Sequence, residues 1–133
     1  MADKKTVLVI DDERSAVTYL SAVLEDAGYD VVTAFDGEEG WQVFDESRPD
    51  LVSLDINMPK KSGMKLYREI RQHPELGKVP VVVVTAVTGY GGDPDEFRRF
   101  LESRKHLAPP EGFVAKPIDP EQFTALVNRL IGS

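Results

Sequence analysis

Three acids stand together at Asp11, Asp12 and Glu13, directly after the apolar run TVLVI. A lone acid, Asp55, follows the mostly apolar LVSL. Thr85 closes the run VPVVVV, and Lys116-Pro117 follows GFVA. Each reactive group thus ends an apolar run. Two like charges about 4 Å apart repel by roughly 4 kcal/mol at an effective dielectric near 20. Gathered in one place, these acids need either a proton or a cation among them. An oxygen-only donor set with few protein ligands suits Mg2+, which keeps several waters and often joins carboxylates to a phosphate. Lys116 would add a second positive charge, and Thr85 a hydroxyl able to donate to an anionic oxygen. In that company the oxygen of Asp55 is equipped to attack a phosphoryl group and form an aspartyl phosphate. The cation and the amine would neutralise charge spread over the equatorial oxygens. Neither histidine nor cysteine is needed.

Those groups meet only if the chain brings the ends of its apolar runs to one rim. Five runs read as strands: Thr6–Ile10, Asp30–Ala34, Leu51–Leu54, Val79–Thr85 and Gly112–Ala115. The first and fourth are apolar without alternation, as in central parallel strands. Helical patterns lie between them. Val17, Leu20, Leu24 and Ala27 share one face, with Gly28 as a stop. A second helix is expected over Gly37–Ser47 with Val43 and Phe44 inward. A third is expected over Met64–Gln72 with Leu66, Tyr67 and Ile70. A fourth spans Asp95–Lys105 with Phe97, Phe100 and Leu101. The last opens at Asp119-Pro120, a cap and a first-position proline, with Phe123, Leu126, Val127 and Leu130 as its apolar face. Alternation of this kind implies an α/β fold with a doubly wound, five-stranded parallel sheet carrying five helices. The flavodoxin-like strand order 2-1-3-4-5 fits best, and in such sheets ligands bind beyond the carboxyl ends of the strands at the switch in order.

Composition narrows the function. The 133 residues suit one domain, 41% are hydrophobic and 29% charged, which is the balance of a globular protein. A net charge of −7 argues against direct nucleic-acid binding or attraction to an anionic membrane. There is no cysteine, so disulfides, thiolate catalysis and zinc-cysteine sites are excluded. The longest apolar run, around Val79–Val87, is too short to cross a bilayer, and the N-terminus is a poor signal peptide. A cytoplasmic location is expected.

With VLVIDDE, DLVSLDINMP, VVVVTA and the late KP in order at the ends of successive strands, the sequence resembles the receiver domain of two-component response regulators. The resemblance covers nearly the whole chain. It implies that Asp55 is the phosphoacceptor, with Asp12 and Asp55 contacting Mg2+ directly. The main-chain carbonyl of Asn57 would complete the protein ligands, and Asp11 would act through water. Lys116 would contact the phosphoryl group, and Lys116–Pro117 would be a cis peptide. Thr85 would be the switch hydroxyl and Phe113 the aromatic that moves with it. Gly63 matches the family's glycine after the Pro59 turn. A sensor histidine kinase or phosphotransfer protein would donate the phosphoryl group, and a downstream protein would read the result. The domain would catalyse its own phosphorylation and dephosphorylation without acting as an ordinary enzyme. Residues 1–133 are expected to form the receiver alone, with no output domain after Ile131-Gly132-Ser133, unless the native chain is longer.

One region departs from the family pattern. The stretch from Thr85 to Lys116 is long, and it lacks the usual glycine-alanine-acid sequence before the fifth strand, so the resemblance leaves dimerisation and partner modes open. Other functions fit less well. A phosphatase resembling the haloacid dehalogenases needs an acid two residues after its nucleophile, where this chain has Asn57. A phosphate-loop nucleotide site needs a glycine-rich loop after the first strand, and none follows. A constitutive module with a vestigial site conflicts with the complete set Asp11, Asp12, Asp55, Thr85 and Lys116. Trp41 reads as a packing residue, His73 as the end of the third helix, and His106 as exposed. Arg98, Arg99, Arg104 and Lys105 read as a solvated face.

Overall fold

Strand β1 (Thr6–Ile10) is apolar on both sides because both sides are covered. Side chains alternate along a strand, so Val7 and Val9 enter one core while Leu8 and Ile10 enter another. The computed structural model describes residues 4–56, 63–86 and 108–132, without the side chains of residues 85 and 86. After β1 come α1 (Arg14–Asp26), β2 (Asp30–Ala34), α2 (Gly37–Ser47), β3 (Leu51–Asp55) and α3 (Gly63–Arg71). Then follow β4 (Val81–Ala86), β5 (Gly112–Lys116) and α4 (Pro120–Ile131). The five strands form one parallel sheet of order β2-β1-β3-β4-β5, as the alternation predicts. Four helices are seen among the described residues; the helix expected over Asp95–Lys105 lies outside them.

The sheet separates two cores. On one side Leu8, Ile10, Val52, Leu54, Val81 and Val83 meet Phe44 of α2 and Leu66, Tyr67 and Ile70 of α3. On the other, Val7, Val9, Leu51 and Val82 meet Val17, Leu20 and Leu24 of α1 and Phe123 and Val127 of α4. Most of these side chains are fully buried. Burying one Leu, Val or Phe is worth about 1.5–3 kcal/mol, so the two layers carry the fold.

Helix starts follow local chemistry. Asp36 caps α2 by accepting from the backbone of Glu39 at 2.9 Å, and Glu39 Oε1 reaches back past the cap to accept from Phe35 N at 2.7 Å. Asp119 accepts from Glu121 N and Gln122 N, with Pro120 in the first turn as expected. Several boundary expectations shift, and β3 and β5 each run one residue further than expected, to Asp55 and Lys116. Ala27 is exposed, because it lies at the C-cap of α1 rather than on its apolar face. Val79 and Pro80 precede β4: Val79 N closes a turn onto Leu76 O, and the strand runs on to Ala86. The third helix ends at Arg71, and His73 folds back into the core, 7% exposed. Its Nδ1 accepts from Glu75 N and Leu76 N, both at 3.0 Å, so the ring proton sits on Nε2 and faces Asp45 Oδ1 at 2.9 Å. Trp41 is half-buried against Phe44 and His73.

The base of the sheet is locked by Arg71, whose side chain is 2% exposed. Its guanidinium donates to Val79 O at 2.6 Å, Gly77 O at 3.2 Å, Pro109 O at 3.1 Å and Tyr67 Oη at 2.9 Å. It also pairs with Glu111 Oε1 at 2.7 Å, which accepts from Val81 N. Tyr67 in turn donates to Ala108 O. One planar fork therefore joins α3, the turn before β4 and the approach to β5. Replacing Arg71 with Met strands several of these acceptors. Urea unfolding of that variant is expected to show a loss of roughly 2–4 kcal/mol.

Candidate functional site

The register of the sheet assembles the rim. Ile10 pairs with Leu54, so Asp11 and Asp55 stand on the next rung of neighbouring strands. Asp55 pairs with Val84, and Ala86 pairs with Lys116. The backbone of Thr85 lies one rung past Asp55, opposite Ala115. Both acids are buried, Asp11 at 2% and Asp55 at 3% exposed. A buried carboxylate persists only with partners, and among the described residues Lys116 is one that both acids share. Its ammonium lies 3.0 Å from Asp11 Oδ2, 3.2 Å from Glu13 Oε1 and 3.4 Å from Asp55 Oδ2. The other oxygen of Asp11 accepts from Glu13 N at 3.0 Å, which also shapes the start of α1. The peptide between Lys116 and Pro117 is cis.

Close approach of α3 to this rim depends on a missing side chain. A Cβ on Gly63 would lie 2.3 Å from Ile56 Cα and 2.6 Å from Asp55 O. Glycine at the first position of α3 therefore lets the helix begin against the backbone of the acid itself.

One carboxylate oxygen each from Asp11, Asp12 and Asp55 lies within 4.8 Å of the others. Among the described residues, and counting Glu13, four carboxylates gather at this rim around the one positive charge of Lys116. The donor set is all oxygen, and Asp12 is open to solvent. Those features fit a hard divalent cation that keeps part of its water shell. Titration behaviour follows the same crowding. Burial and then the charge of Asp11 raise the pKa of Asp12 above its ordinary value. For Lys116 burial works against the charged form. The hydrogen bond to Asp11, the charges of Asp55 and Asp11 and the bond to Glu13 outweigh it and hold the ammonium well above the usual lysine value.

Asp11, Asp12, Asp55 and Lys116 are thus brought together as the sequence suggests. Thr85 is placed there by its backbone, while Asn57 lies outside the described residues. Phe113, on β5, is 52% exposed. Glu13 is the residue that sequence reasoning undervalued. It read as one more acid after β1, whereas its side chain reaches Lys116. The only advance signal was the third acid in the run.

The model for the response regulator receiver domain matches residues 7–128. The chain belongs to this receiver family. Among its relatives is the alkaline phosphatase synthesis transcriptional regulatory protein PhoP of Bacillus subtilis, 34% identical over 96% of this chain. The receiver spans about half of that relative, 48% of its length. The polar-differentiation response regulator DivK of Brucella anthropi is 27% identical and is matched over 97% of its own length. Among solved structures, the chemotaxis protein CheY4 of Vibrio cholerae superposes with a TM-score of 0.82 at 26% identity, covering 97% of this receiver and 100% of that chain. Receivers are signalling proteins. Among the described residues no helix is long and apolar enough to cross a membrane.

Because its folded pKa is raised, ionised Asp12 costs the fold stability at neutral pH. Asp12→Asn is expected to raise the melting temperature of the metal-free receiver at pH 7. The gain should stay below about 1 kcal/mol, since solvent screens this exposed group. Calorimetry across pH should show the gain fading as pH falls through the raised folded value towards the ordinary 3.8, where the native carboxyl is already protonated.

Proposed function

We propose that this receiver is a phosphorylation-controlled switch in which Asp55 accepts a phosphoryl group from the phosphohistidine of a sensor histidine kinase or phosphotransfer protein. The observation that carries the reading is the Lys116 ammonium set against Asp55 and Asp11 at the strand-order switch. An oxygen of Asp55 attacks phosphorus, the P–O bond forms as the P–N bond breaks, and the imidazole leaves with the electron pair. Lys116 exchanges part of its carboxylate pairing for an oxygen of the transferred group. Asp12 and Asp55, with the carbonyl of Asn57, would hold Mg2+, and Asp11 would reach it through water. When bound, the cation supplies charge neutralisation at the phosphoryl oxygens.

The product carries about −1.5 to −2 charges where one carboxylate stood. Thr85 donates its hydroxyl to the new oxygen, and Phe113 moves into the space this leaves. The exposure of Phe113 supports that role, since an aromatic ring gains by burial. Moving such an equilibrium from 1:99 to 99:1 takes about 5.5 kcal/mol of differential stabilisation. Charge-assisted hydrogen bonds to a phosphoryl group are of the size to provide it. The domain acts only on itself, through Mg2+-dependent phosphorylation and dephosphorylation in the cytoplasm. A separate downstream protein reads its state. The acidic balance supports an output without direct nucleic-acid contact by this domain.

Acetyl phosphate with Mg2+ is expected to add one phosphoryl group per chain, detected by intact mass. Asp55→Asn should abolish the addition; a label that persists in this variant places the acceptor elsewhere.

A further inference from the structure

A lysine ammonium has three protons, and Lys116 has three carboxylate oxygens within 3.4 Å: Asp11 Oδ2, Glu13 Oε1 and Asp55 Oδ2. A phosphoryl oxygen can reach this ammonium only by replacing one of them. The side chains of Asp11 and Asp55 are 2% and 3% exposed, and stripping a counter-ion from a buried carboxylate is costly. The side chain of Glu13 is 62% exposed, so water takes over readily when it lets go. Its backbone is nonetheless fixed beside the site. Glu13 N donates to Asp11 Oδ1 at 3.0 Å, and Glu13 O accepts from Val17 N at 3.1 Å. Although Glu13 is the N-cap of α1, its side chain makes no capping hydrogen bond. It is spent on the lysine instead.

We propose that Glu13 is a positioning residue that holds Lys116 on standby, its carboxylate oxygen standing where an oxygen of the incoming phosphoryl group must bind. Every phosphodonor has to displace it, so Glu13 sets how readily small donors phosphorylate the receiver. During transfer from acetyl phosphate, the Asp55 O–P bond forms and the acyl O–P bond breaks, with acetate leaving. Glu13 makes and breaks no covalent bond; it trades its ion pair with Lys116 for water. The inference rests on the reading of Asp55 as phosphoacceptor.

Two variants separate contact from charge. Glu13→Ala removes both, and Glu13→Asp keeps the charge on a side chain one methylene shorter. Labelling by acetyl phosphate at saturating Mg2+ is followed by intact mass, and the Lys116 Nζ resonance is followed by NMR in the metal-free, unphosphorylated protein. The apparent second-order rate constant for labelling is expected to rise roughly three- to tenfold in Glu13→Ala, the scale set by removing one charge and one competitor near the donor. Glu13→Asp should rise in the same direction, and both variants should shift the Lys116 signal and speed its proton exchange. Wild-type rates in Glu13→Ala with an unmoved Lys116 signal overturn the proposal. So does a Glu13→Asp variant that matches wild type in both readouts, because charge alone then explains the alanine result. A wild-type chain that takes no label at all strikes the phosphoacceptor reading instead, and the NMR arm still decides the tie between Glu13 and Lys116.

Discussion

Two carboxylates buried side by side are the constraint around which this rim is organised. Parallel pairing of β1 with β3 puts Asp11 and Asp55 on adjacent strands at the same level, and the hydrophobic layers above and below keep them nearly dry. Left alone, such a pair would take up a proton or pull the strands apart. The sequence meets this by ending β5 on Lys116, which the sheet order carries to the same edge two strands away. Strand order, register and charge balance are therefore one problem. A slip of one residue in β5 would turn the ammonium to the other face of the sheet.

Two cations fix the molecule in different ways. Arg71, at the base, is matched mainly to neutral carbonyl oxygens and one carboxylate, in a planar fork with little freedom. Lys116, at the rim, is matched to carboxylates on a flexible stem. The first arrangement is satisfied and closed. The second leaves, among the described residues, more carboxylates than cations and a partner, Glu13, that is open to solvent. Rigidity at one end of the strands and exchangeable electrostatics at the other suit a domain whose covalent state changes while its fold stays.

Much of this was legible in the sequence. Continuous apolar runs such as TVLVI and VVVV mark strands covered on both faces, and their alternation with amphipathic segments led to the sheet order. The acids after β1, the acid that ends β3 and the lysine that ends β5 could be placed on one rim because chain direction in a parallel sheet puts every carboxyl end on the same side. What escaped were contacts that depend on side-chain reach across the fold. Nothing in the spelling of Glu13 distinguishes an acid at a helix start from one that spans to Lys116, 103 residues away. His73 and Arg71 likewise look like ordinary polar residues near a helix end. Only the turn that follows α3 reveals that each is buried and fully engaged. The shift of β4 to Val81–Ala86 has a similar origin, since Val79 is as apolar as its neighbours but is held in a turn.

The chain has one tryptophan, and its seat has a practical meaning. Trp41 lies with its ring centroid 5.9 Å from that of Phe44 and 5.7 Å from that of His73, inside the layer that binds α2 to the far end of α3. Its emission is thus an intrinsic optical gauge of how those two helices sit together. Ligation at the acidic edge will change that emission to the extent that it shifts α2 against α3 or moves the His73 ring, so a silent fluorophore there would signify local, rather than propagated, rearrangement.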